Sequence, residues 1–335
     1  GAEVLKMQIS SIIDLDMDKM LISGLGAGYI HDLSDLGGLR AGHVLTVQVG
    51  NPATAAPPVM PQQQRPPQQG GITLEALTSA LQAASKPKSP QDIERQRNMQ
   101  EMQSRIHSGA QHVMIYENPQ VQAQALKVIP VDEIRRRAVE DPGNLGPRDA
   151  VARKLLAWFK HECFQWVNNA PCQACGSGNT AGMGGTHPNS EERAGMAGIV
   201  ELYKCNECSA VTRFPRLNHP GKLMETKRGR CGEWANAFTL CCIAMGFEAR
   251  HVVDWTDHVW TEVYSEDQQR WIHCDSCENA WDAPLLYSEG WGKKLTYVVA
   301  YSKDDVRDVT ARYTRQYDEC LARRTKVPEV WLAEF

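Results

Sequence analysis

Four cysteines in two closely spaced pairs constrain the fold of this 335-residue chain more than any other feature. The pairs are Cys172 with Cys175 and Cys205 with Cys208, and a stretch rich in Gly, Ser and Asn lies between them. A closed set of four thiolates suits one tetrahedral Zn²⁺ ion with Zn–S distances of about 2.3 Å. Metal binding would organise a stretch that cannot build its own core. We therefore predict one structural zinc ion in a module at about residues 166–212, the alternative being that one pair is a redox dithiol.

Composition limits the cellular setting and the partners. None of the eleven cysteines falls in the first 162 residues, and the CxxC pairs favour a reducing compartment, so we expect the cytosol or the nucleus. The chain begins without a basic and apolar leader, and its longest apolar run is too short to cross a bilayer. A net charge of −4 gives no overall cationic field. We therefore predict neither a nucleic-acid nor a membrane partner.

The chain divides into three parts by its pattern. Residues 1–50 combine an apolar helical start with strand-like runs at 20–22 and 43–49, and they resemble the second half of a ubiquitin-like domain without its first hairpin. Residues 51–72 are rich in Pro, Gln and Gly, which predicts a linker. Residues 73–335 are predicted to form the α+β core, which includes the metal module.

Elements within this core have clear sequence signals. Ser89 followed by Pro90 is a helix start, and apolar residues at helical spacing predict an amphipathic helix over 149–166. A helix-like run at 232–245 precedes four strand candidates, which lie near residues 249–254, 258–265, 270–275 and 295–301.

A nucleophile constellation follows the metal module. Cys231 lies between two glycines at the start of the helical run, where the helix dipole and the nearby Arg228 and Arg230 would favour a thiolate. The next two strands carry His258 and Asp275. Cys on a helix start, His on one strand and Asp on the next is the order of the transglutaminase-like and papain-like superfamily. In that order Cys231 attacks, His258 moves the proton and Asp275 orients the imidazole.

Each member of the constellation has an ordinary alternative. A lone Cys at a helix start is most often a small buried residue, a lone His on a strand is most often a hydrogen-bonded surface residue, and Asp275 could simply cap a turn. His251 and His273 compete with His258 for the role of base. The joint order and spacing favour the catalytic interpretation.

Longer segments of the core resemble the cytoplasmic peptide:N-glycanases, in the form found in plants. The resemblance covers about residues 150–315 and includes the paired CxxC motifs. The segments that carry it are 158–160 (WFK), 164–168 (FQWVN), 213–216 (RFPR), 229–234 (GRCGEW), 257–260 (DHVW) and 292–295 (GKKL).

This resemblance implies a deglycosylating amidase of the transglutaminase-like fold. The enzyme would hydrolyse the amide between an asparagine side chain and the first N-acetylglucosamine of an N-linked glycan on a misfolded glycoprotein. Cys231 would form a thioester, and the products would be aspartate and a glycosylamine. Implied partners are proteasome shuttle receptors and the unfoldase of endoplasmic-reticulum-associated degradation (ERAD).

The resemblance also implies a substrate site. Trp166 and Trp271 match tryptophans that bind the glycan core, and Glu278 matches a position assigned to substrate contact. The same triad also serves transglutaminases and cysteine proteases, and relatives of this fold that sense DNA damage are not catalytic. The Cys₄ motif, the aromatic residues and the intact triad favour the amidase over both alternatives.

Overall fold

The computed structural model of the chain describes residues 20–23, 44–49, 72–73 and 89–335, and the chain divides into two compact units, 1–93 and 94–335. In the first unit, three strands form an antiparallel sheet in the order β1-β2-β3: β1 (Met20–Ser23), β2 (Val44–Val49) and β3 (Ile72–Thr73). The predicted strands at 20–22 and 43–49 are confirmed. The helical start and almost all of the predicted linker lie outside the described residues, so the ubiquitin-like segment and the boundaries of the three parts stay predictions.

The helical region follows Ser89. Its helices are α1 (Pro90–Val113), α2 (Pro119–Leu126), α3 (Val131–Glu140) and α4 (Pro147–Trp158). The predicted start is confirmed, because the Ser89 hydroxyl accepts the backbone N–H of Asp92 at 3.1 Å as an N-cap does. The helix predicted over 149–166 ends earlier. A π-helical turn covers Phe159–Cys163, and Phe164 then turns extended so that its ring stacks on Phe159 at 5.1 Å.

A small antiparallel sheet begins between the two CxxC motifs and ends just after the second one. Its strands are β5 (Thr180–Thr186), β6 (Val200–Cys205) and β7 (Val211–Pro215), with β6 in the centre and the short helix α5 (Ser190–Ala194) between β5 and β6. We call residues 166–215 the knuckle module. The chain enters the module through β4 (Gln165–Trp166), which pairs in parallel with β8 (Arg228–Gly229), just after helix α6 (Pro220–Thr226).

The rest of the chain builds three α-helices and a six-stranded antiparallel sheet in the order β12-β11-β10-β9-β13-β14. The predicted helix and strands are confirmed within a few residues. The elements are α7 (Cys231–Ala244), β9 (Ala249–Asp254), β10 (His258–Ser265), β11 (Arg270–Asp275), β12 (Ala280–Trp281), β13 (Val298–Tyr301), β14 (Val306–Asp308), α8 (Tyr317–Ala322) and α9 (Glu329–Glu334).

Two buried clusters fix α7 and the sheet. On the α7 side, Trp234 and Phe238 pack edge to face on Phe159, and the hydroxyls of Thr239 and Thr261 join α7 to β10 at 2.8 Å. A second cluster contains Trp260, whose ring stacks on Tyr287 at 4.2 Å. No helix in the described part of the chain has the length and apolar character needed to span a bilayer.

His251 on β9 is a buried histidine that packs near the end of α1. The ring of His251 lies 6.3 Å from His112 and 6.5 Å from Tyr116, and its Nδ1 has no hydrogen-bond partner. Burial, together with the neighbouring His112, lowers the pKa of His251 to about 3. The imidazole of His251 therefore stays neutral in the folded protein at pH values where it takes up a proton in the unfolded chain, in which its pKa is about 6.5.

Acidification is expected to destabilise the protein through His251. Because the pKa is lower in the folded state, stability falls as the pH drops below about 6.5, by about 2 kcal/mol at about pH 5. Thermal unfolding at about pH 7.5 and about pH 5 measures this. In His251→Gln, which cannot titrate there, the melting temperature should fall less between the two pH values than in the wild type. Equal falls in both proteins would contradict the assignment.

Candidate active site

The three predicted catalytic residues meet where α7 begins. His258 is the first residue of β10, Asp275 is the last residue of β11, and Cys231 is the first residue of α7. His258 Nε2 lies 2.8 Å from Asp275 Oδ2, and the Cys231 thiol lies close enough to His258 to raise the pKa of its imidazole. Since Nε2 faces Asp275, Nδ1 is the nitrogen left for the thiol. Cys, His and Asp therefore form one connected chain, as a nucleophile triad requires.

Burial and charge set the protonation of the His258–Asp275 pair. Burial alone would lower the pKa of His258, but its hydrogen bonds to Asp275 and Cys231 and their charges raise it to about 9. Burial likewise opposes ionisation of Asp275, yet the hydrogen bond and the charge of His258 hold its pKa below the usual value. An imidazolium at His258 next to a carboxylate at Asp275 is thus stable across neutral pH.

Asp275 is held by more than the histidine. Its Oδ2 accepts the hydroxyl of Tyr287 at 2.8 Å, and its Oδ1 accepts the backbone N–H groups of Cys277 at 2.8 Å and Glu278 at 3.3 Å. Four donors orient the carboxylate and fix His258 in turn. Sequence reasoning missed Tyr287, and no local motif marks it.

The two histidines that compete with His258 for the role of base are both buried, and other side chains surround them. His273 lies on β11, its Nε2 is 2.6 Å from the Tyr287 hydroxyl, and burial lowers its pKa to about 4. His251 packs near the end of α1, as described above. His258 is thus the histidine that contacts Cys231.

The start of α7 explains the two glycines around Cys231. A Cβ on Gly229 would lie 2.4 Å from the Cβ of Glu233, so no side chain fits there. A Cβ on Gly232 would meet nothing within 4 Å, because open space lies over this turn. The guanidinium of Arg228 lies over Phe214, and that of Arg230 pairs with Glu201, so the structure engages both predicted cations elsewhere.

Two exposed tryptophans flank the triad. Trp166 is 46% exposed and lies 6.3 Å from Trp234 on α7, and its indole N–H donates to Asn168 at 2.8 Å. Trp291 is 44% exposed, with its ring 5.1 Å from that of His258 in a T-shaped contact. Sequence reasoning missed Trp291, although it stands directly before the GKKL segment. Exposed indole faces beside a nucleophile suit the apolar faces of a sugar.

The other two predicted substrate residues lie apart from each other. Glu278 is exposed on the turn after Asp275, close to the triad. Trp271 lies on the same face of β11 as Asp275 but four residues, about 13 Å, before it on the strand. The guanidinium of Arg250 lies 4.0 Å from the centre of the Trp271 ring. Trp271, Arg250 and Arg312 line a separate cavity of about 980 Å³. The substrate roles of both residues stay predictions.

The four predicted metal ligands converge. Their Sγ atoms all lie within 4.8 Å of one another, with Cys172 to Cys208 at 3.5 Å and Cys175 to Cys205 at 3.6 Å. The two turns match, because the backbone N–H of the fifth residue of each bonds back to the first cysteine's carbonyl, at 2.9 Å and 3.1 Å. A tetrahedral ion with bonds of about 2.3 Å needs sulfur atoms about 3.8 Å apart. The cluster can therefore hold one metal ion.

Sequence profiles support the fold. The profile of the transglutaminase-like superfamily matches residues 181–276, which include Cys231, His258 and Asp275, and the profile of the Rad4 transglutaminase-like domain matches residues 254–334. Fold and site together define a transglutaminase-like protein with an α+β core.

Curated relatives narrow this class. The chain is 53% identical over 238 residues to a peptide-N(4)-(N-acetyl-beta-glucosaminyl)asparagine amidase of Mus musculus, with 68% of this chain and 37% of the relative covered. The amidase of Arabidopsis thaliana is 47% identical over 263 residues, which is 76% of this chain and 36% of the relative. That of Yarrowia lipolytica is 45% identical, with 64% of this chain and 62% of the relative covered. The chain is a homologue of these amidases from animals, plants and yeast.

The coverage of the relatives is partial. The chain spans little more than a third of the length of the first animal and plant relatives. Identity is higher to the mouse relative, while the plant match extends over more of this chain, so the plant-like arrangement stays a prediction. Among solved structures, Rad4–Rad23 crosslinked to undamaged DNA matches with a TM-score of 0.42 and 12% identity, over 68% of this chain and 50% of that chain. A likeness of this size carries no conclusion about function.

Proposed function

We propose that this protein hydrolyses the amide between an asparagine side chain and the N-acetylglucosamine of an N-linked glycan. The observation that carries this is the connected triad of Cys231, His258 and Asp275 in a homologue of enzymes named for that bond. Two exposed tryptophans beside the triad supply surfaces for a glycan, which neither a peptide bond nor a glutamine side chain requires.

The reaction follows from the geometry. The thiolate of Cys231 attacks the side-chain carbonyl carbon, and the imidazolium of His258 gives its proton to the departing nitrogen, so a glycosylamine leaves and a thioester remains. Neutral His258 then takes a proton from water, which attacks the thioester and expels the Cys231 thiolate. The new carboxylic acid loses its proton to solvent and leaves as aspartate. Asp275 holds the imidazole in place and stabilises its charged form through both steps.

The substrate is a glycoprotein whose linkage asparagine is accessible. Trp166 and Trp291 would contact the sugars nearest the amide, and Glu278 would approach them from the turn after Asp275. Misfolded glycoproteins meet this condition because their glycosylated segments can enter a cleft as extended chain. Trp271 would contact the glycan only beyond its first sugars, since it lies about 13 Å along β11.

Zinc is the metal we propose for the four-cysteine cluster. Thiolate ligands in a tetrahedral set suit Zn²⁺, and four protein ligands leave no position for a reacting water. The ion would therefore be structural, and its ligands would be Cys172, Cys175, Cys205 and Cys208. It would hold the two turns of the knuckle module together.

Loss of one ligand is expected to destabilise the knuckle module. Cys205→Ser should bind less than one equivalent of zinc and lower the melting temperature by on the order of 10 °C, because the ligand energy is part of the folding energy. Metal analysis and thermal unfolding measure both. Cys320→Ser is the control, since that buried thiol donates to the carbonyl of Leu295 outside the module. Full zinc content in Cys205→Ser would contradict the assignment.

We also propose a reducing compartment, the cytosol or nucleus. All eleven cysteines are free of disulfides, and four of them converge at the proposed metal site. Shuttle receptors and an ERAD unfoldase remain proposals for partners, because this chain covers only part of its relatives.

Product analysis tests the proposed function. A denatured high-mannose glycoprotein is incubated with the protein in H₂¹⁸O, and glycan and peptides are analysed by mass spectrometry. Free glycan, together with conversion of the linkage asparagine to ¹⁸O-labelled aspartate, is expected. Peptide cleavage would assign a protease, glutamine–lysine crosslinks would assign a transglutaminase, and intact substrate would favour a binding module. Any of these three results would overturn the proposal.

A further inference from the structure

Four charged side chains join the knuckle module to the residue before Cys231. The guanidinium of Arg230 donates to both carboxylate oxygens of Glu201 on β6, at 2.9 Å and 2.6 Å. The guanidinium of Arg216 donates to both carboxylate oxygens of Glu233 on α7, at 2.5 Å and 2.8 Å. Arg216 also reaches Glu201 at 3.1 Å, so the two pairs are one network. Such forked pairs fix orientation as well as distance.

Arg230 also holds the chain that enters the module. Its Nε donates to the carbonyl of Val167 and its Nη2 to the carbonyl of Asn168, both at 3.0 Å. Nη2 further donates to the hydroxyl of Tyr203 at 2.9 Å, and this hydroxyl donates to Glu201 at 2.6 Å. One side chain therefore binds two separate segments of the knuckle module.

The backbone of Arg230 is fixed as firmly as its side chain. Its N–H donates to the carboxylate of Glu233 at 3.0 Å, and its carbonyl accepts the N–H of Trp234 at 2.9 Å as the first hydrogen bond of α7. Cys231 is the next residue. Whatever fixes Arg230 therefore sets where the thiol stands relative to His258.

We propose that Glu201 and Arg230 are positioning residues, which set the reactivity of Cys231 by fixing the start of α7 on the knuckle module. The proposal rests on the proposed function, in which Cys231 is the nucleophile. Glu201 neutralises the charge of Arg230, so we infer that the network affects Cys231 by fixing its position and not by its charge. Displacing a reacting group by about 1 Å can cost about 100-fold in rate.

The test is the rate at which iodoacetamide alkylates Cys231 in the metal-loaded full chain. Arg230→Lys keeps the charge but loses the fork, and Glu201→Gln keeps the shape but loses the charge. Both are expected to slow alkylation about tenfold and to lower kcat on a glycopeptide without raising KM. If Glu201 acted through its charge, Glu201→Gln would speed alkylation, because removing a negative charge favours the Cys231 thiolate. The direction of the change in alkylation rate therefore separates the two roles.

The chain offers a matched control in the same module. Arg213 donates to both carboxylate oxygens of Glu192, at 2.8 Å and 2.7 Å, and this pair lies wholly within the knuckle module. Arg213→Lys breaks a fork of the same kind and should leave the alkylation rate unchanged. Peptide mapping assigns the label to Cys231, since the other thiols are buried or belong to the metal cluster.

Tyr203→Phe decides the question if the charged variants fail to fold. It deletes one hydroxyl from the network and keeps the ring on Phe214, and it should slow alkylation by about threefold. Wild-type alkylation rates in the folded variants, or faster alkylation in Glu201→Gln, would overturn the proposal. Alkylation is independent of turnover, so a wild type without amidase products would overturn the proposed function and leave this comparison intact.

Discussion

Cys231→Ala is expected to lower kcat/KM for a glycopeptide by at least about 10⁴-fold, because the thioester cannot form without the thiol. The thiol stands at the first residue of α7 close to His258, where it contributes to the raised pKa of the imidazole. The variant should keep its fold, since Cys231 is only half-buried and an alanine favours the helix. Release of glycan from a labelled glycopeptide measures the rate, and thermal unfolding checks the fold.

A second cysteine supplies the control. Cys163 is buried, and burial raises the pKa of its thiol to about 11, so it is a structural thiol at neutral pH. Cys163→Ala should keep its turnover rate even if some stability is lost to the small cavity. If Cys231→Ala kept more than about a hundredth of the wild-type rate, the nucleophile would have to be sought elsewhere.

Asp275→Asn is expected to lower kcat by about 10³- to 10⁴-fold while the fold is kept. The carboxylate accepts from His258 and supports the charge of the imidazolium, and an asparagine can do only the first. The effect also has a pH dependence. The hydrogen bonds and charges of Asp275 and Cys231, acting against burial, raise the pKa of His258 to about 9, so wild-type turnover should fall only as the pH approaches that value. In Asp275→Asn this alkaline limb should move to lower pH.

An Asp→Asn change at Asp282 is the control that separates a loss of catalysis from a general effect of the substitution. Asp282 binds Arg270 near the protein surface, through two hydrogen bonds of 2.7 Å and 2.5 Å, and contacts no triad residue. Asp282→Asn should therefore leave kcat and the pH profile of turnover unchanged. An alkaline limb at the wild-type position in Asp275→Asn would show that another group holds the proton on His258.

The sequence predicted the three residues of the triad, the helix and strands that carry them, and the convergence of the four cysteines, because these depend on local patterns. Cys231 stands between glycines at a helix start, and His258 and Asp275 fall on runs with clear strand periodicity. The spacing of each CxxC pair is set by one turn of backbone. Such signals extend over a few residues and survive without knowledge of the fold.

Contacts between distant segments were beyond the same reasoning. Tyr287 reaches Asp275 from a turn twelve residues on, and Trp291 reaches His258 from beyond it. The Arg230–Glu201 pair joins residues 29 positions apart. The helix predicted to run to residue 166 ends at a π-helical turn, after which Phe164 packs edge to face on Trp234 of α7 at 5.2 Å, a tertiary contact that periodicity does not reveal.

Gly229 and Gly232, on either side of Cys231, are required for different reasons, so evolution could replace one and keep the other. Gly229 is required by packing, since a Cβ there would collide with Glu233 whether or not the protein has a substrate. Gly232 faces open space, so a Cβ there would meet no protein atom and would oppose only the approach of the proposed substrate to Cys231. A descendant of this fold that no longer performs the reaction would keep the first glycine and be free to replace the second. The pair thus distinguishes an inherited architecture from a retained activity.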